Sequence, residues 1–215
     1  MMKAIIFDFD GTLANTLPIC YYAFQSVFKE YDNREITPNE IIGMFGPSEV
    51  GILRKNLLST RKDEAIEYFY QQYSEFHMDL VKANQDIHKM ISILKGMDIK
   101  LGIFTGKAKR SLDISLEKLD MEGLFDCVIT GDDVCKPKPD PEGLVKALSL
   151  LKVDNSEAIF VGDSDADIIA GLQANVFTIG VQWLPEYQTA VFSEQPNLLM
   201  GSVAEFENYV KGEVK

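Results

Sequence analysis

Two aspartates spaced two apart, Asp8 and Asp10, follow the apolar run Lys3–Phe7 in the segment Asp8-Phe9-Asp10-Gly11-Thr12-Leu13. Alternate residues of an extended chain share a side, so the two carboxylates point the same way. Held together they repel unless a proton or a cation lies between them. A hard divalent ion such as magnesium suits oxygen ligands of this kind. Gly11 allows a sharp departure from the strand. A second acidic group follows another apolar run, in Ile159-Phe160-Val161-Gly162-Asp163-Ser164-Asp165-Ala166-Asp167. Alone, the first pair reads equally well as solvated loop acids, and Asp163 or Ser164 as a helix cap. Jointly, Asp8, Asp10, Asp163 and Asp167 are candidates for one metal cage, provided the fold brings them together.

Two other segments carry groups suited to phosphoryl oxygens. Thr105-Gly106-Lys107 follows Gly102-Ile103-Phe104. It offers the Thr105 hydroxyl and the backbone N–H groups of Gly106 and Lys107 at a helix start, a natural phosphate cradle. Lys136-Pro137-Lys138-Pro139-Asp140-Pro141 is stiffened by its prolines. A stiff loop can hold one lysine over a site, and Lys136 is expected to neutralise charge on a phosphoryl group and its attacker. The plainer alternative is a rigid turn with solvated lysines.

These groups meet only if the elements carrying them are parallel strands. The runs Lys3–Phe7, Ile99–Phe104, Asp126–Thr130, Glu157–Val161 and Val176–Gly180 read as short buried strands. Helix-length segments lie between the later ones: Lys107–Leu119, with Leu112, Ser115, Leu116 and Leu119 on one face, then Pro141–Leu151 and Ser164–Gln173. This alternation predicts an α/β fold, a Rossmann-like doubly wound parallel sheet with helices on both faces. All C-terminal strand ends then share one edge, where ligands bind.

One connection is too long. Roughly ninety residues separate the first two strands, where a crossover needs only about a dozen. Asp86–Gly96 can serve as the crossover helix. The surplus reads as helices over Leu17–Tyr31, Pro38–Met44, Ser48–Leu58 and Lys62–Val81. A block of this size must bury its own apolar stripes. We therefore expect a helical cap over 17–84 inserted into a core of 1–16 and 85–215. The loop Gly43–Glu49 is the best candidate for reading the substrate, with Met44, Phe45 and Gly46 placed to close over the site, and it reads equally well as a plain connector with Met44 and Phe45 in the cap core. His77 and His88 are expected on helix surfaces, Arg54 in solvent, and the aromatic residues Tyr22, Phe24, Phe69 and Tyr73 in the packing of the cap.

A net charge of −12 argues against a basic face for nucleic acid or an anionic membrane. No apolar run is long enough to span a bilayer, and the first residues lack the pattern of a signal peptide. Three unpaired-looking cysteines, Cys20, Cys127 and Cys135, suggest free thiols in a reducing, cytoplasmic setting.

The order Asp-x-Asp-Gly-Thr, Thr-Gly, Lys-Pro-Lys-Pro-Asp-Pro, Gly-Asp-Ser-x-x-Asp, each segment after its own strand, resembles the haloacid dehalogenase superfamily. The resemblance runs from Ile5 to about Ala174 and is nearest to its phosphoglycolate phosphatase-like and pyrophosphatase-like members. It implies a magnesium-dependent phosphatase of a small phosphorylated metabolite, acting as a monomer or homodimer. Asp8 would be the nucleophile and Asp10 the acid and base. Asp8, Asp163 and the Asp10 carbonyl would hold Mg2+, with Asp167 supporting it. Thr105 and Lys136 would hold the phosphoryl group.

The presence of Asp10 sets the chain apart from relatives that attack carbon. A sugar-phosphate mutase of the same fold is the alternative, disfavoured by Glu49, which stands where such relatives carry a phosphate-gripping arginine. A signalling receiver with a stable aspartyl phosphate is the rival of a different class. Receivers lack a long lid and carry their aspartate on a middle strand.

Overall fold

Ala4–Phe7 (β1) is buried on both faces, as a strand at the heart of a parallel sheet must be. In the computed structural model, which describes residues 2–213, it is one of six parallel strands. The others are β2 (Lys100–Phe104), β3 (Cys127–Ile129), β4 (Ala158–Gly162), β5 (Phe177–Val181) and β6 (Leu198–Met200), in the spatial order β3-β2-β1-β4-β5-β6. From β1 the chain builds outward through β2 and β3, then returns to lay β4 on the other side of β1. The direction of winding thus reverses at β1 and β4, the kind of crevice where open α/β sheets bind ligands.

Successive residues of β1 face opposite layers. Ala4 and Ile6 pack with Phe104, Phe160 and residues of α7 (Glu142–Leu151). Ile5 and Phe7 belong to the larger cluster, which includes α5 (Gln85–Gly96) and α9 (Val203–Glu213). The expected strands and helices form within a residue or two of their anticipated ends. α6 spans Lys109–Lys118, with Ala108 at its N-cap, and α8 spans Asp165–Gln173. Leu112, Ser115, Leu116 and Leu119 are all buried, as their spacing predicts. β6 and α9 were not anticipated.

The long connection from β1 holds α1 (Leu17–Asp32), α2 (Pro38–Ile42), α3 (Glu49–Asn56) and α4 (Lys62–Leu80). α1 and α4 pack through aromatic pairs, with ring centroids 4.8 Å apart for Phe24 and Phe69 and 4.7 Å for Tyr22 and Phe76. The apolar cluster runs without a break from Ile5 and Phe7 into Phe24, Phe69 and Tyr73.

His77, expected on a surface, is instead fully buried. Its Nε2 lies 3.0 Å from Ser115 Oγ, which is also 2.8 Å from the Tyr73 hydroxyl. α4 packs on α6 here, so the face of α4 carrying Tyr73 and His77 is an interface rather than a solvated side. Burial, and then the nearby Lys107 charge, push the His77 imidazole down to about 4.

Candidate active site

β1 and β4 are neighbours, so the residues that leave their C-terminal ends must meet. Asp8 and Asp163 do so, with exposures of 2% and 0%. One carboxylate oxygen each from Asp8, Asp163 and Asp167 lie within 4.8 Å of one another. Gly11 makes this possible. It adopts φ +86°, and a Cβ on it would lie 2.3 Å from Asp163 Oδ2. A side chain there would therefore meet both backbone strain and a collision.

Lys138 crosses this group. Its ammonium donates to Asp8 Oδ1 at 2.7 Å and to Asp167 Oδ1 at 2.5 Å. Burial works to lower its pKa, but the charges of Asp167 and Asp8 outweigh that and hold it raised. Asp167 spends its other oxygen on Ser164, whose backbone N–H and hydroxyl donate to Oδ2 at 3.0 and 2.6 Å. Asp163 receives the Thr12 hydroxyl at 3.2 Å and the Gln188 backbone N–H at 2.6 Å. Burial pushes Asp8 up to about 7 against the pull of Lys138. Burial and the charges of Asp8 and Asp167 hold Asp163 well above the usual carboxylate range. Of the three buried carboxylates, the Lys138 ammonium bonds two, Asp8 and Asp167. Asp163 has only neutral donors, and a divalent cation between it and Asp8 would relieve the repulsion. The donor set is all oxygen, as a magnesium site requires.

The sequence pointed to Lys136, and the structure puts a different lysine in the site. Lys136 is exposed, 3.7 Å from Asp140. Glu142, at the start of α7, accepts the backbone N–H groups of Cys135 and Lys136 at 3.0 and 2.9 Å and ties that stretch to the helix. The side chain that reaches the sheet edge is that of Lys138, two residues on. Asp167, expected to serve the metal, is engaged at both oxygens by Lys138 and Ser164, so it acts first as the seat of Lys138.

Asp10 faces the same cavity from the other side. Its carboxylate receives the Thr16 hydroxyl and lies 3.1 Å from Lys107 Nζ, while its carbonyl accepts Gln188 Nε2 at 3.4 Å. Lys107 was expected to act through its backbone, which does donate to Thr105 Oγ1 at 3.2 Å. Its buried side chain matters more. Nζ lies 3.4 Å from Glu49 Oε1, 3.3 Å from Cys20 Sγ and 4.6 Å from the centre of the Tyr73 ring. Burial disfavours this charge, but the surrounding acids, Asp10 foremost, hold Lys107 protonated with a raised pKa.

A cavity of about 250 Å3 joins these groups. Asp8, Asp10, Thr105, Gly106, Lys107 and Lys138 line it on the sheet side, and Phe45, Gly46 and Glu49 on the helical side. Met44, expected beside Phe45, does not line it; half-buried, it packs against the apolar core, as Phe45 also does. Arg54 stays in solvent, 2.8 Å from Asp63. Two further residues of the site are not singled out by the sequence. Thr16 could be suspected from its place just before a helix. Gln188 has no local signal. Cys20, read in the sequence only as a free thiol, lines the cavity beside Lys107.

The six-stranded parallel sheet carries Asp8 and Asp163 after adjacent strands, with Lys138 joining Asp8 to Asp167 in the first turn of α8. The model of the haloacid dehalogenase-like hydrolases matches residues 5–181. The chain belongs to that family, and it is an enzyme of the phosphatase type. Among curated proteins it is similar to the pyrophosphatase PpaX of Listeria welshimeri, with 32% identity over 214 residues, 99% of this chain and 98% of that one. Among solved structures it resembles a predicted phosphoglycolate phosphatase from Haemophilus somnus, with a TM-score of 0.84 at 20% identity over 97% of this chain and 98% of the other. CbbY from Rhodobacter sphaeroides, solved with phosphate, gives 0.83 at 21% identity over 96% of each chain. At these identities the two structures speak to the fold alone.

Proposed function

We propose that the chain is a magnesium-dependent phosphatase that hydrolyses a small phosphorylated metabolite through an aspartyl phosphate on Asp8. The observation that carries this reading is the placement of Asp8. It is buried at the end of the central strand, bonded to Lys138 and beside Asp163, and it opens on the cavity that Asp10 also lines.

In this reading Asp8 attacks phosphorus in line, and the ester bond to the leaving group breaks as the bond to Asp8 forms. Asp10 gives its proton to the departing oxygen. It then takes a proton from the water that attacks the aspartyl phosphate, which regenerates Asp8 and releases phosphate. Lys138 balances charge on Asp8 and the phosphoryl oxygens, the part first expected of Lys136. The Thr105 hydroxyl and the Gly106 backbone hold those oxygens. The side chains of Asp8 and Asp163 and the Asp10 carbonyl would hold Mg2+, with Asp167 holding Lys138 beside them. Bound there, magnesium supplies further charge neutralisation at the phosphoryl group.

Residues 17–84 act as a cap that bounds the cavity and shuts out water, with Phe45 and Gly46 at its edge. Hydrolysis is favoured over the mutase alternative because the cap offers Glu49, not a cation, to a second phosphate. No helix among the described residues is long and apolar enough to cross a membrane. We place the enzyme in the cytoplasm with a small-molecule substrate, as a monomer or homodimer. Assaying a panel of phosphorylated metabolites with and without magnesium tests the reading. Metal-dependent phosphate release from at least one is expected, and none from any would refute it.

A further inference from the structure

Glu49 is an acid from the helical block, yet its partners belong to the sheet side. It is the first residue of α3 and is 6% exposed. Ser111 donates its hydroxyl to Oε1 at 2.6 Å, the Ala108 backbone N–H donates to Oε2, and Lys107 Nζ stands 3.4 Å from Oε1. Ala108 is the N-cap of the ten-residue helix α6 and Ser111 lies in its first turn. A helix start, a hydroxyl and an ammonium together make a complete anion site, and the protein fills it with its own carboxylate.

That carboxylate lines the same cavity as Asp8. The two lysines of the cavity are both committed, Lys138 to Asp8 and Asp167, and Lys107 to Asp10 and Glu49. Beyond them the wall carries no further charge: it has the apolar Leu17, Phe24, Phe45 and Ile52 and the neutral Ser164 and Gln188. A leaving group with a negative charge of its own would find the anion site taken, no free ammonium, and the carboxylate of Glu49 in the same cavity. Like charges brought together in a partly dry pocket are costly.

We propose that Glu49 is a specificity-determining residue. Among two-carbon phosphate monoesters it favours those whose leaving group is neutral or cationic over phosphorylated carboxylates. This deepens the phosphatase reading and rests on it.

Three two-carbon esters matched in size test it: 2-aminoethyl phosphate, 2-hydroxyethyl phosphate and phosphoglycolate. Their kcat/KM values would be compared in the wild type and in Glu49→Gln, which keeps the shape of the side chain and removes its charge. In the wild type the neutral and cationic esters should exceed phosphoglycolate by about tenfold or more, a ranking that needs no variant. In Glu49→Gln that ratio should fall by about tenfold. Faster wild-type turnover of phosphoglycolate would overturn the proposal while leaving a phosphatase in place. An equal loss on all three esters in the variant would also overturn it, reducing Glu49 to a fastening between α3 and α6. No turnover of any ester or of an aryl phosphate would remove the phosphatase reading itself.

Discussion

Lys138 and Lys107 line one cavity, and each is held between two carboxylates, but the carboxylates come from different parts of the chain. Those around Lys138, Asp8 and Asp167, follow adjacent strands of the sheet. Of those around Lys107, Asp10 comes from the sheet edge and Glu49 from the helical block. The end of the cavity where phosphorus would be attacked is thus built by the sheet alone. The opposite end is built jointly, and a change in the helical block can alter it without disturbing Asp8. In the proposed reading the nucleophile sits at the sheet-built end, and substrate choice is exercised at the shared end, where Glu49 stands beside the acid-base residue Asp10.

Substitutions at the two ends should therefore differ in kind. The largest effect is expected for Asp8→Asn, which removes the attacking oxygen's charge with little change in volume. Turnover should fall on the order of 10⁴-fold or more for every substrate, with the cooperative unfolding transition preserved. Next comes the contrast between the two loop lysines. Lys138→Met should lower kcat by roughly 10²- to 10³-fold, the scale of losing one charge-stabilising donor. Lys136→Met, in solvent, should stay within about twofold. Steady-state kinetics on both variants would reveal whether the sheet-side lysine carries the charge. Asp163→Asn should raise the magnesium concentration needed for half-maximal activity by more than about tenfold, read from metal titrations. An unchanged titration would remove Asp163 as a ligand.

The smallest effect concerns the seam between the blocks. His77 is buried and its pKa is pushed down to about 4, against about 6.5 in an unfolded chain. Between these values the unfolded state binds the extra proton. The contribution of His77 is therefore complete above about pH 6.5 and lost as the pH falls towards 4. It amounts to on the order of 2 kcal/mol. Urea midpoints at pH 7 and pH 4.5 should separate by less in His77→Gln than in the wild type. Equal separation would mean that the seam does not sense His77.

The two ends also differed in how readily the sequence revealed them. Asp8, Asp10, Asp163 and Thr105 were recognisable because each follows an apolar run, and parallel strands deliver such residues to one edge. The sheet itself was visible for the same reason, in runs such as Ala4–Phe7 and Ala158–Gly162. What was not legible depends on packing between distant segments. Lys136 and Lys138 share a composition and a loop, and only the attachment of Glu142 to the backbone of residues 135 and 136 distinguishes them. Glu49 was noticed as a missing cation, but its seat on Ala108 and Ser111 requires α3 and α6 to meet. His77 looked exposed because the partner face of α6 lies far along the chain. Gln188 reaches Asp163 from a stretch with neither strand nor helix periodicity. β6 is three residues long, too short for a pattern to register.

Direct trapping of the phosphorylated carboxylate tests the central claim most sharply. The enzyme would be mixed with a turned-over phosphate ester and magnesium, quenched in acid, reduced with borohydride and digested for peptide mass spectrometry. The predicted result is reduction of Asp8 to homoserine, dependent on substrate and absent from Asp8→Asn. Phosphate release at full rate with an unmodified Asp8, or with the modification on another carboxylate, would contradict the account.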